Sequence, residues 1–151
     1  MVASRKLEGF AMKPVSTFRL TFHVSHPSVS ASEIEIAFGL PTRFSQSVGM
    51  PRKTKTGKLL DGIYDRTNVS FSLHENPFNF DEVSITSFIK KQLDSYDPDY
   101  INWIFESGGN CNFLIGVFSS NNVMFEFSLD IIHRLSSLNI SVSVDFYGGE
   151  D

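Results

Sequence analysis

The chain has 151 residues and a mass of 17.0 kDa, with 41% hydrophobic residues, 20% charged residues and a formal net charge of −4. That length suits one domain with its own core; the composition excludes a disordered, collagen-like or coiled-coil chain, and the acidic balance disfavours a general nucleic-acid binder. The single cysteine, Cys111, excludes an intramolecular disulfide and suits a reducing, cytoplasmic setting, and no run reaches the ~18 apolar residues of a membrane helix.

Residues 1–14 read as a partly mobile lead-in with no apolar signal-peptide core, and residues 15–151 as a single α+β domain. Thr17 to Val24 alternates strictly: Phe18, Leu20, Phe22 and Val24 share one face, and Arg19, Thr21 and His23 the other. Period two predicts a strand with one buried face. Ser30 and Glu33 have capping-box spacing, Ile34, Ala37 and Phe38 form an apolar stripe, and Gly39 with Pro41 ends the helix. Residues 45–58 read as the one long loop, with four basic residues and no acidic one. Two strands are expected near 59–64 and 68–74. A helix capped by Asp81 follows, with Ile85, Phe88, Ile89, Leu93 and Tyr96 on its inner stripe. A second is capped by Asp97, has Pro98 at its first position and Gly108 at its end, and turns Tyr100, Ile101, Ile104 and Phe105 inward. Asn112–Phe118 predicts a strand. Ser128 caps a helix carrying Leu129, Ile131, Ile132, Leu135 and Leu138, and Asn139 turns the chain into the alternating strand Ile140–Tyr147. The order β-α-β-β-α-α-β-α-β predicts an α+β fold with a largely antiparallel five-stranded sheet, helices packed on one face, ferredoxin-like in style.

From about Thr17 to Tyr147 the chain resembles the bacterial family known as domain of unknown function 4279. Three stretches carry the resemblance. One is the opening strand with the helix Ser32-Glu33-Ile34-Glu35-Ile36-Ala37-Phe38 ending in Gly39-Leu40-Pro41-Thr42-Arg43. Another is the Gly-containing basic loop before a Ser-containing strand. The third is the closing run Phe127 to Tyr147. The resemblance implies a fold and brings no catalytic residues with it.

The loop Gly49…Gly57-Lys58 lacks phosphate-loop spacing, because seven residues separate the glycines and Leu59 follows the lysine. Its cluster Arg52, Lys53, Lys55 and Lys58 reads as a partner-binding loop for an acidic surface or phosphate groups, or as a solvated run. His23, His26, His74 and His133 have no metal-ligand spacing, so no metal and no cofactor is expected. Alternation gathers Arg19, His23, His74, Asp145 and Tyr147, with Thr21 and several serines, on one polar sheet face. That face holds the residue types of a binding surface or a Ser-His-Asp site, but no Gly-x-Ser-x-Gly elbow. Cys111 reads as a buried structural thiol. Phe78 and Phe80 either anchor a partner or cap the core.

Two functions follow. The first is a non-enzymatic protein-interaction module, concretely an immunity-type protein that neutralises a bacterial toxin, with two acidic clusters, Asp94, Asp97, Asp99 and Glu106, and Asp145, Glu150 and Asp151, facing a basic toxin domain. The alternative is a small-ligand binder or hydrolase-like enzyme using the polar sheet face. Neither nucleic acid nor membrane is expected as a partner, and self-association through an exposed edge strand is compatible with both.

Overall fold

Phe18, Leu20, Phe22 and Val24 lie fully buried along one side of β1 (Thr17–His26), as their alternation requires. β1 is the centre of the sheet in the computed structural model, which describes residues 15–148; the lead-in 1–14 and the acidic pair Glu150 and Asp151 lie outside the described residues. Around β1 follow α1 (Ala31–Phe38), β2 (Thr42–Gln46), β3 (Pro51–Lys53), β4 (Leu59–Ile63), β5 (Thr67–Ser72) and β6 (Phe78–Asn79). Then come α2 (Ile85–Ser95), α3 (Pro98–Glu106), β7 (Asn110–Phe118), α4 (Leu129–Ser137) and β8 (Ile140–Tyr147).

The protein is α+β, with four helices and a mixed sheet of six strands in the order β2-β5-β1-β7-β8, β6 pairing with the start of β1. β1 runs antiparallel to β5 and β7, and β5 antiparallel to β2. β1 and β2 are therefore parallel, with β5 between them. β7 and β8 pair directly and in parallel, because α4 returns the chain to the starting end of the sheet. The sheet has six strands where five were expected, and one of its five pairings, β7 with β8, is parallel. The segment at 59–64 leaves the sheet and pairs with β3 as a separate two-stranded hairpin, while β2 and β6 take places that alternation does not reveal.

One face of the sheet carries every helix. Ile34 of α1, Ile89 of α2, Ile104 of α3 and Ile131 of α4 join the same apolar cluster as Phe71, Phe113 and Ile115. Phe22 lies at its middle, with ring centroids 5.3 Å from Phe38, 4.8 Å from Tyr96 and 4.9 Å from Phe113. Phe78 and Phe80 pack half-buried against the core over Phe18, at 5.5 and 5.0 Å.

Several local expectations hold. Ser30 accepts from the Glu33 N–H, Gly39 takes the left-handed conformation, Asp97 caps α3 and Ser128 caps α4. Others are displaced. α2 is capped by Ser84, whose hydroxyl accepts from Ser87. Asp81 sits instead in a turn organised by Asn79, whose Oδ1 accepts the Asp81 N–H at 2.8 Å. Phe105, Leu129 and Ile132, expected on the apolar stripes of their helices, are exposed. Residues 45–58 are not one loop: they begin in β2 and include β3.

Candidate functional site

The hairpin begins where β2 ends and folds across the open face of the sheet. Its geometry is held mainly by backbone and by Tyr64. The Gly49 N–H donates to the Tyr64 carbonyl at 2.8 Å, and the Tyr64 N–H to the Met50 carbonyl at 3.0 Å. The Tyr64 hydroxyl reaches across to Lys53, accepting from its N–H and donating to its carbonyl, both at 3.2 Å. The turn closes through the Gly57 N–H on the Thr54 carbonyl at 3.0 Å, with Gly57 at φ +91°, a conformation that glycine adopts without strain. Arg52 donates to the Asp61 carbonyl at 3.1 Å and so lies along the hairpin.

Between hairpin and sheet lies an open cleft of about 830 Å³. The sheet supplies His23, Ser70 and the consecutive residues Arg43, Phe44, Ser45 and Gln46; the hairpin supplies Arg52, Lys53, Thr54, Lys55, Leu60 and Tyr64. Four of these side chains are permanent cations and none is acidic. The single ion pair among the described residues joins Arg134 to Asp94, far from this cleft in sequence and fold. The cleft lining is therefore cationic on a chain whose net charge is −4, and a concave, single-sign lining attracts anionic groups. A second hollow of about 320 Å³ between α2 and α4 carries Lys90, Asp130, His133 and Arg134, a mixture of signs without that focus.

Of the expected loop cluster, Arg52, Lys53 and Lys55 line the cleft, and Lys58 stands in the hairpin turn outside its lining. Arg43 was missed in the sequence because β2 is exposed on both sides and shows no alternation. A register shift between Thr42 and Phe44 leaves Arg43 as the extra residue of a bulge, the device by which edge strands re-aim a side chain.

The expected polar face is dispersed by its registers. His23 lies opposite Ser70 and Asn112, and its Nε2 meets Asn68 Oδ1 at 3.2 Å. Arg19 and Asp145 both lie opposite Gly116, on either side of β7. Asp145 accepts from the Tyr147 hydroxyl at 2.6 Å, and that hydrogen bond raises the phenol pKa. His23 and Asp145 stand two strands and four residues apart, on the order of 16 Å by strand geometry, so they form no relay. His74 lies beyond the end of β5. Its Nε2 accepts the Leu20 N–H at 3.0 Å and its Nδ1–H donates to the Asn76 carbonyl at 2.6 Å. Both nitrogens are thus engaged with backbone, and burial lowers its pKa first, Arg19 adding to the effect and the Asn76 bond opposing it.

Cys111 is buried, and burial pushes its thiol up to about 12, which suppresses thiolate chemistry. Among the described residues no three His, Cys, Asp or Glu side chains converge on a metal position, and no helix is long and apolar enough to cross a membrane. No protein-family model, curated protein or solved structure matches the chain.

Proposed function

We propose that this chain is a non-enzymatic protein-interaction module that docks an acidic surface of its partner in the hairpin cleft. The observation that carries this reading is the cleft itself, with Arg43, Arg52, Lys53 and Lys55 around one concavity and no carboxylate among them. The exposed apolar residues of β4 support a protein partner over a small ligand. Leu59 and Ile63 there are 69% and 62% exposed, and apolar residues beside a cationic rim are the ordinary make-up of a docking surface.

In the immunity-type version of this function, the toxin presents acidic groups to the cleft. The complementary idea, a basic toxin on Asp94, Asp97, Asp99 and Glu106, has weaker support. Asp94 is already paired with Arg134, and Asp97 accepts the Asp99 N–H as a helix cap. The order β7-β1-β5-β2, with β1 and β2 parallel around β5, supports a ferredoxin-like reading of the core, to which α4 and β8 add one further unit. Membership of the domain of unknown function 4279 family rests on the helix ending Gly39-Leu40-Pro41-Thr42 and on the closing α4–β8 stretch. A cytoplasmic location rests on the solitary thiol.

The test is co-purification with the tagged chain, comparing wild type with the triple variant Arg52→Glu, Lys53→Glu, Lys55→Glu. The expected result is one stoichiometric protein held by wild type, reduced about tenfold or more by the variant and by roughly 0.5 M salt. A partner retained equally by both proteins at both salt concentrations refutes the reading.

A further inference from the structure

β2 is an edge strand. It pairs with β5 along one side, and among the described residues no backbone hydrogen bond reaches residues 42–46 from the other. A row of N–H and C=O groups therefore faces outward, a template for another strand.

The lining of the cleft shows how that edge is placed. A pleated strand presents alternate residues to each face, so a cleft lying on a face is lined by every second residue. Here Phe44, Ser45 and Gln46, in regular register beyond the bulge, line it in unbroken succession. The cleft therefore runs along the strand's edge as well as over its face. β2 has five residues, about 17 Å of edge, and Arg52, Lys53 and Lys55 stand opposite. β8, at the far end of the strand order, is also an open edge, but it has one charged residue, Asp145, and no facing wall of cations.

We infer that the partner enters as an extended acidic segment that adds a strand to the outer edge of β2 beneath the hairpin. This rests on the reading of the cleft as the dock for an acidic partner and specifies how that partner is held. Main-chain hydrogen bonds to β2 supply affinity, and carboxylates at alternate positions of the segment meet the cations of the hairpin and Arg43.

Strand addition has a signature that charge attraction lacks: only one edge of the incoming segment pairs with β2. The probe is a fluorescein-labelled peptide, acetyl-Glu-Val-Glu-Val-Glu-Val-Glu-amide, followed by anisotropy against the full chain. It is compared with its Lys-for-Glu counterpart and with two N-methylated versions, one methylated on the Glu positions and one on the Val positions. The Glu peptide is expected to bind and the Lys peptide to fail. One methylated version is expected to lose about tenfold or more in affinity while the other stays close to the parent. Amide exchange within residues 42–46 of the unmodified chain is expected to slow when the parent peptide is bound. Equal binding of both methylated versions, with binding still lost in the Arg52→Glu, Lys53→Glu, Lys55→Glu variant, overturns strand addition and leaves the acidic dock standing. No difference between Glu and Lys peptides, or no binding of either at about 1 mM, overturns both.

Discussion

His26 is 1% exposed and shows how one buried side chain organises its neighbourhood. Its Nδ1 accepts the N–H groups of Ser28 and Val29, each at 3.0 Å. Nε2 therefore carries the proton and donates to Ser107 Oγ at 2.8 Å, while its ring stacks on Trp103 at 5.6 Å. Protonating Nδ1 would set a proton against two amide donors. Burial lowers the His26 pKa below 6.5, the charge of Arg66 lowers it further, and His74 is lowered too. With folded values below the unfolded one, the unfolded chain takes up protons first as the pH falls. The stabilisation is complete above 6.5 and is lost as the pH drops through the folded values. Urea midpoints should thus fall between about pH 7.5 and pH 5, with a smaller fall in a His26→Gln variant. An identical slope in that variant would assign the pH dependence elsewhere. Phe22 gives the second prediction at this scale. It is fully buried among aromatic rings, so Phe22→Ala should cost about 3–5 kcal/mol, measured by the same denaturation.

Among the elements, the junction of α3 and β7 has the tightest steric demand. A Cβ added at Gly109 would lie 2.5 Å from the Ser25 carbonyl oxygen and 2.7 Å from His26 Cδ2. Backbone cannot yield there without separating α3 from β1, so Gly109→Ala should destabilise by about 1–3 kcal/mol or more, read as a lowered melting temperature. Gly39→Ala makes a useful contrast, because space is open around Gly39 and its cost arises from a φ of +63° alone. The same kind of local chemistry explains which helix ends are legible from sequence. Ser30, Asp97 and Ser128 cap their helices because the bond runs only two or three residues along the chain. Asp81 fails because Asn79 holds its amide in a competing turn. Val144 and Phe146 alternate as inward residues but are half-exposed or more, since β8 is the sheet's edge and α4 covers only its beginning.

For the molecule as a whole, the hairpin is separable from the core. Every residue of β3 and β4 is exposed, and none belongs to the buried apolar cluster. The chain leaves and rejoins it at neighbouring points, where Gly49 donates to Tyr64. Replacing residues 50–63 by a short Gly-Ser link should shift the melting temperature by no more than about 4 °C, the effect of roughly 1 kcal/mol in a chain of this size. It should also abolish charge-dependent partner binding. A large loss of stability would show that the hairpin supports the sheet and is more than a docking arm.

The amino-acid sequence alone determined the elements whose causes lie within a few residues. The strict alternation of β1 and β8, the caps of three helices, the left-handed turn at Gly39 and the turn at Asn139 are all of this kind. The burial of Cys111 followed from its place in an apolar strand. Only the tertiary structure decided the partners of the strands: that β4 leaves the sheet for β3, that β7 and β8 run parallel, and that β2 becomes an edge. Pairing depends on groups brought together from distant parts of the chain, and a short strand exposed on both sides has no periodicity to betray it. For the same reason the basic cluster at 52–55 was readable as charge, while the cleft was not. The wall that makes those cations a site is Arg43 and the edge of β2, set opposite them by the fold.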